Sequence, residues 1–487
     1  MVESNTASMN GTNWGLRLVL GDIRADGPKS LADNVAGRLR QAVRDGRLPA
    51  GAALPASRSL ATDLDVSRGV VVRAYEQLVA EGYLRAHTGR GTVVGDVHTT
   101  AHTAPASVQR FTPANPGLPA LGWFPRRDWL RATETAIADL ADADLGYGDP
   151  RGHPRLRQAL AAYLGRTRAV VAPVDQIVVT GGFAQGIRLV AEALVRHDVP
   201  AVGVEDPGSV GVIRTLQAGG TITRPVPVDE HGLDVARLTA GGLGAVVVTP
   251  AHQFPTGAVL APTRRAALLE WATDRQGVVV EDDYDAEYRY DRSPVGALQG
   301  LAPDRVVYGG SVSKTLAPGL RLGWIVAPAW LAGTLADVKF WADVTTPVLD
   351  QVTLAVFIET GALDRHIRRT ASRYATRRRR LLAAVARHLP GWTVTGVAAG
   401  LHAVLVPPSD IADPMSRDAV VAAGGLDVVP LSAYTQTDRS RPGLVVGYGA
   451  ATLDQIERGI AAIALAGSSC ASGGPDVSGV GLRTRYG

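Results

Sequence analysis

Two short β-branched runs decide what kind of sheet this chain can build. Gly277-Val278-Val279-Val280-Glu281 is apolar without alternation and reads as a buried strand, the kind found in an open α/β sheet covered by helices. Asp282-Asp283-Tyr284-Asp285 follows at its carboxyl end. Ile177-Val178-Val179-Thr180 is a second strand, and it enters a helix through Gly181-Gly182-Phe183-Ala184-Gln185-Gly186. In open α/β sheets ligands bind outside the carboxyl ends of the strands. These two runs therefore place an acidic and phenolic cluster, and a helix start whose free amides can seat an anion, where a ligand would lie.

Lys and Arg together number 50, yet the only lysines are Lys29, Lys314 and Lys339. A composition that has otherwise replaced lysine by arginine keeps the amine where a guanidinium cannot do the chemistry, and Schiff-base formation is such a case. Ser311-Val312-Ser313-Lys314 is followed by an apolar turn, Thr315 to Leu320, and then by Arg321-Leu322-Gly323-Trp324. Hydroxyls just before an amine, with a guanidinium after it, can hold a phosphate beside that amine. This is the layout of a pyridoxal phosphate site. Asp282 is then placed to keep the pyridine nitrogen protonated, and the Tyr284 hydroxyl to bond the ring's phenolic oxygen.

From about Pro113 to Ala466 the chain resembles a fold-type I aminotransferase of the aspartate aminotransferase group. Four motifs carry the likeness in order: YGDPRGHPRLRQAL from Tyr147, TPAHQFPTG from Thr249, EDDYDAEYRY from Glu281 and SVSKTLAPGLRLGW from Ser311. The resemblance implies a large PLP-dependent α/β domain in which Lys314 carries the Schiff base, Asp282 meets the ring nitrogen and Tyr284 the ring oxygen. Arg321 with Ser311 and Ser313 would take the phosphate, aided by the amides of Gly182, Phe183 and Ala184. His252 or Gln253 would line the ring face or ring oxygen. Tyr147 would reach the phosphate of a neighbouring subunit, which implies a dimer. Two positions depart from the pattern. Ser209 stands where the family commonly has a tyrosine. The run Leu444-Val445-Val446-Gly447-Tyr448 lacks the arginine that usually meets a substrate carboxylate, which leaves Arg441 in the preceding loop as the candidate.

The chain's 487 residues suggest more than one domain, and a 46% hydrophobic share describes a globular protein with ample core. No apolar run reaches the roughly 18 residues of a spanning helix and the start lacks a signal peptide, so no membrane association and a cytoplasmic location are expected. One cysteine, Cys470, excludes an internal disulfide or a cysteine metal cluster, and the ten histidines show no ligand spacing, so no metal is expected.

A net charge of +4 argues little for nucleic acid, but ten basic residues face seven acidic ones between Pro28 and Asp96. Leu31, Val35, Leu39 and Val43 form the stripe of an amphipathic helix that stops near Gly46. After a Pro/Gly-rich turn, Ser57 can cap a helix to about Leu64 and Ser67 another to about Ala80. Two short helices across a tight turn, then a hairpin with Arg90 at its basic tip, make a winged helix-turn-helix. The core LPASRSLATDLDVSR and the closing GRGT resemble the GntR winged-helix family. By that likeness Arg58, Ser67, Arg68, Arg73 and Arg90 contact DNA, with Ser57 as cap and phosphate ligand; Arg68 is the best placed to read guanine. Arg44 and Arg47 are read as solvated surface.

Residues 97–111 are short of large apolar side chains and read as a flexible linker between a DNA-binding domain at 13–96 and an aminotransferase-like effector and dimerisation domain at 112–467, with 468–487 as a disordered tail. This fusion resembles the MocR group of bacterial transcription regulators. The resemblance implies a head-to-tail homodimer on a double-stranded DNA operator, with pyridoxal 5'-phosphate and an amine or amino acid as the signals sensed at Lys314. An active aminotransferase with an accessory DNA-binding domain is the alternative reading.

Overall fold

The computed structural model describes residues 30–87, 91–96, 115–290, 295–408, 425–437 and 442–471. The expected contacts Arg90 and Arg441 lie outside these residues, as does the stretch 97–111. The chain divides into two compact units, with the break between Thr112 and Pro113.

In the smaller unit, α1 (Leu31–Arg44) starts at Ser30, whose hydroxyl accepts from the Asp33 amide at 3.2 Å. Its buried stripe of Val35, Leu39 and Val43 meets α2 (Ser57–Leu64) and α3 (Arg68–Ala80) around Leu60, Val71 and Leu78. The α2–α3 turn passes through Asp65 in the left-handed region, φ 53°. Strands β1 (Leu84–His87) and β2 (Gly91–Val94) pair antiparallel from Leu84↔Val94 to His87↔Gly91. One capping expectation shifts by a residue: Ala56 holds the N-cap of α2, and Ser57 is its first helical residue. Ser67 does hold the N-cap of α3, but its hydroxyl makes no capping bond.

The larger unit is built on an eight-stranded sheet ordered β3-β10-β9-β8-β7-β4-β5-β6. Its strands are β3 (Ile177–Thr180), β4 (Ala201–Asp206), β5 (Ile222–Asp229), β6 (Gly232–Leu233), β7 (Ala245–Val248), β8 (Val278–Asp282), β9 (Val306–Ser311) and β10 (Gly323–Val326). Strands β9, β8, β7, β4 and β5 run parallel; β10 lies antiparallel between β9 and β3. The carboxyl ends of β3, β4, β7, β8 and β9 therefore share one edge. Alternate residues feed opposite faces: Ile177 and Val179 enter one core cluster, Val178 another; Val278 and Val280 pack on one side, Val279 on the other. Helices cover both faces: α4 (Phe183–Arg196) and α5 (Val210–Ala218) pack on the side of Val178 and Val280, and the helices Pro154–Arg168 and Pro262–Asp274 on the other. That is why these strands are apolar without alternation.

A second, four-stranded antiparallel sheet follows the long helix α6 (Ala362–His388), in the order β11-β12-β14-β13, from β11 (Thr393–Thr395), β12 (His402–Val406), β13 (Asp427–Pro430) and β14 (Leu444–Gly447). The last helix, α7 (Leu453–Ala471), continues past residue 467.

Beneath the edge of the large sheet lies an ion pair with both side chains 3% exposed. Arg168 reaches Asp283 at 2.7 and 3.1 Å and the Val295 carbonyl at 2.6 Å, while Tyr308 donates to the same carboxylate at 2.7 Å. Removing one partner strands the other's charge in the core. Arg168→Ala should lower unfolding free energy by about 3–5 kcal/mol, and adding Asp283→Ala should recover part of that loss; urea unfolding of the three variants measures it.

Candidate functional site

The shared strand edge opens onto a cavity of about 330 Å³, within the range of small-molecule sites. Many of the wall residues come from strand ends. Strand β8 delivers Asp282 and Tyr284, β9 delivers Ser311, Ser313 and Lys314, β4 delivers Glu205, β7 delivers Thr249, and β3 leads into Phe183 and Ala184. Asn115, Gly117, Phe254, Pro318 and Arg321 add to the lining, together with Val204, Val247, and Ser209, Val212 and Ile213 around the start of α5.

Lys314 sits in the turn after β9, and its amine comes so near Gly117 that a Cβ there would lie 3.0 Å from it. Burial pulls the Lys314 amine below the ordinary lysine range, against the opposing pull of Asp285 and Asp282. A buried amine so shifted is biased toward its neutral, nucleophilic form. Asp282 is 9% exposed, and its Oδ1 is buried with no hydrogen-bond partner. Burial pushes its carboxyl well above the usual range, reinforced by Asp283, Glu205 and Asp285 and opposed by Lys314. Burial likewise drives the Tyr284 phenol far upward, so it stays a hydroxyl. Glu205 is pushed up to about 7 by burial, against bonds from Thr249 N at 3.1 Å, Thr249 Oγ1 at 2.5 Å and Gln253 Nε2 at 3.1 Å.

At the other end, α4 starts at Gly182, φ 89°. A Cβ on Gly182 would come within 2.9 Å of the Arg321 guanidinium, so only glycine lets that cation pack against the helix start. Arg321 itself is left-handed, φ 51°, and it donates to the Gly181 carbonyl. The Ser311 hydroxyl accepts from the Ser313 amide at 3.3 Å.

This donor set fits pyridoxal phosphate. The unpartnered Asp282 oxygen calls for a cationic N–H, the Tyr284 hydroxyl can donate to a ring oxygen, and Arg321 with two serine hydroxyls and a helix start suits a phosphate. Other expected residues lie elsewhere. His252 and Gln253 do not line the cavity: the His252 ring is 3% exposed and turned to Asp285 and Tyr284, and the Gln253 amide is spent on Glu205 and the Pro207 and Phe254 carbonyls. Phe254, the next residue, is the one at the wall. Tyr147 is 91% exposed in the single chain and is not part of the lining. Ser209 accepts from the Val212 amide at 3.4 Å as N-cap of α5 while it lines the cavity. Glu205, Thr249, Phe254, Val212 and Ile213 were not singled out from sequence. The strand-end position that marks Asp282 would also have marked Glu205.

In the smaller unit Arg58, Ser67, Arg68 and Arg73 are exposed and Ser57 is half-buried. Arg58, Ser67 and Arg68 line one shallow surface cleft with Thr62 and Asp65, and Arg68 Nε lies 3.5 Å from Ser57 Oγ. Arg73 turns back to the Gly69 carbonyl at 3.4 Å. Arg44 bonds the Tyr83 hydroxyl at 2.7 Å and Arg47 pairs with Asp45 at 3.1 Å, structural uses for both.

Comparison with known proteins follows the same division. The family described as aminotransferase class I and II matches residues 124–456, and that of bacterial regulatory proteins, gntR family, matches residues 31–94. The HTH-type pyridoxine biosynthesis transcriptional regulator PdxR of Corynebacterium glutamicum is 34% identical over 436 residues, covering 87% of this chain and 92% of that protein. The probable rhizopine catabolism regulatory protein MocR of Rhizobium meliloti is 32% identical over 449 residues, covering 87% and 91%. Among solved structures, Pyrococcus horikoshii kynurenine aminotransferase superposes with a TM-score of 0.64 at 26% identity, over 72% of this chain and 89% of that one. With a GntR winged helix ahead of an aminotransferase class I and II domain, the chain belongs to the MocR-type family of HTH transcriptional regulators.

Proposed function

We propose that this protein is a DNA-binding regulator whose large domain holds pyridoxal 5'-phosphate at Lys314 and senses an amine or amino acid there. The observation that carries the reading is Lys314, a buried amine biased toward its neutral form, in a cavity whose Asp282 oxygen has no partner. When bound, the cofactor supplies an electrophilic carbon for amines and an electron-withdrawing ring. The chain's own groups do the rest. Lys314 offers the amine for covalent attachment, Asp282 accepts from the ring nitrogen, and Tyr284 donates to the ring oxygen. Arg321, Ser311, Ser313 and the amides of Phe183 and Ala184 take the phosphate.

Sensing follows from linkage: a ligand that binds two arrangements of a dimer with different free energy shifts their balance, and DNA affinity follows. The exposure of Tyr147 suits a head-to-tail homodimer in which it reaches its partner's phosphate site. In our reading residues 13–96 form the DNA-binding domain, 97–111 the tether and 112–467 the effector domain. Arg68 at the exposed start of α3 reads base edges, while Ser57, Arg58, Ser67, Arg73 and Arg90 meet the backbone. Arg441 is the candidate for an effector carboxylate. An active aminotransferase is the second reading, favoured by relatives such as aromatic-amino-acid aminotransferase 1 of Thermococcus litoralis, 29% identical over 329 residues.

Three variants test the proposal. Lys314→Ala should leave operator affinity in a mobility-shift assay near native but abolish its change across a panel of amines and amino acids; steady release of keto acid by the native protein would favour the enzyme instead. Arg68→Ala should weaken operator binding by about 1–3 kcal/mol with loss of sequence discrimination. Arg58→Ala, by contrast, should weaken all DNA alike and reduce the slope of log affinity against log salt by roughly 0.9.

A further inference from the structure

Behind the cavity wall three buried side chains cluster, and two of them, His252 and Asp285, stand against Tyr284. His252, Asp285 and His402 are 3%, 2% and 2% exposed and place ligand-type atoms within 4.8 Å of one another. They come from the loop after β7, the loop after β8 and the first residue of β12. The backbone between them is set by Gly400, φ 67°, where a Cβ would overlap both the His252 ring and the Asp285 carboxylate. The Gly400 carbonyl is pinned by the hydroxyls of Tyr290 at 2.6 Å and Tyr448 at 2.7 Å. This contact is therefore built into the core.

Proton bookkeeping narrows the arrangements open to this cluster. His402 Nε2 lies 3.1 Å from the Pro255 carbonyl, which only accepts, so Nε2 carries a hydrogen. Burial keeps His402 neutral, and its Nδ1 has no partner. His252 Nδ1 faces both Asp285 oxygens, at 2.9 and 3.2 Å, and the Tyr284 oxygen at 3.1 Å. A carboxylate only accepts, so this nitrogen also carries its hydrogen, shared between Asp285 and Tyr284. An N–H directed at the phenol oxygen occupies one of its lone pairs. The phenol's own hydrogen then has two places to go, the Asp285 carboxylate beside it or the cavity that Tyr284 lines.

We propose that His252 is a positioning residue: held by Asp285, it donates Nδ1–H to the Tyr284 oxygen and so turns the Tyr284 hydroxyl hydrogen into the cavity, toward the cofactor's ring oxygen. This rests on the reading that the cavity holds pyridoxal phosphate. Asp285 competes for the same phenolic hydrogen, and donation from His252 to both of its oxygens weakens that pull. The other charged groups felt at this point are Asp282 and Glu205, which bear on Tyr284, and Lys314, which bears on His402.

The test is a pH titration of the visible absorption band of the cofactor-loaded protein. A donated hydrogen bond stabilises the anionic ring oxygen, so losing it raises the protonation midpoint of the chromophore. His252→Phe should raise the midpoint by about one pH unit, roughly tenfold in proton affinity. Tyr284→Phe should raise it at least as much, and the double variant should match Tyr284→Phe alone. His252→Asn, whose amide reaches the Nδ1 position, should stay near native. If His252→Phe does not fold, His252→Gln, whose amide reaches the Nε2 position instead, carries the same expectation. A native midpoint in the folded, loaded His252→Phe or His252→Gln protein, or a shift additive with Tyr284→Phe, overturns the inference and leaves the cofactor reading intact. Absence of any visible band in the native protein overturns both.

Discussion

The Arg168–Asp283 pair, 2.7 Å apart with both side chains 3% exposed, settles a local problem of charge. The sheet edge gathers Glu205, Glu281, Asp282, Asp283 and Asp285, all buried, around the buried Arg168 guanidinium and the Lys314 amine. Buried carboxylates persist only if paired, hydrogen-bonded or protonated. Arg168 and Tyr308 satisfy Asp283, backbone amides of Leu298 and Gln299 satisfy Glu281, and Thr249 satisfies Glu205. Asp282, one residue from the ion pair, is left with an unpartnered oxygen at the cavity. Because successive residues near a strand end face opposite ways, one carboxylate anchors the core and its neighbour is held out for a ligand.

The end of the cavity at α4 rests on a different constraint, close approach of backbone and guanidinium. Gly182 has no side chain, and Arg321 fills the space it leaves beside the first turn of α4. Positive charge and free amides thus converge without a loop having to order around the anion. The remaining wall around α5 is apolar, through Val212 and Ile213, and Ser209 does double duty as helix cap and lining. His402 ties the far side of the cavity to the small sheet through His252, since β12 begins with it.

Much of this was legible because it is local. Doubly covered strands need unbroken β-branched runs; Asp282 and Ser311 end such strands, Tyr284 and Lys314 follow within three residues, and Arg321 stands two residues before β10, so chain order alone nearly places them. His252 and Gln253 were harder, because their orientation depends on Asp285 and Glu205, which lie far away in sequence. Phe254 takes the wall position for that reason. Ser57 became the first residue of α2 rather than its cap, a shift of one that pattern reading does not resolve. The role read for Tyr147 is toward a second chain, and in the single chain the residue is 91% exposed.

The central claim is that Lys314, alone of three lysines, is the attachment point. Borohydride reduction of the protein purified with pyridoxal phosphate, followed by peptide mass mapping, tests this directly. The account predicts a pyridoxyl adduct on the peptide containing Lys314 and none on those containing Lys29 or Lys339. An adduct at either of the others, or no adduct at all, would contradict it.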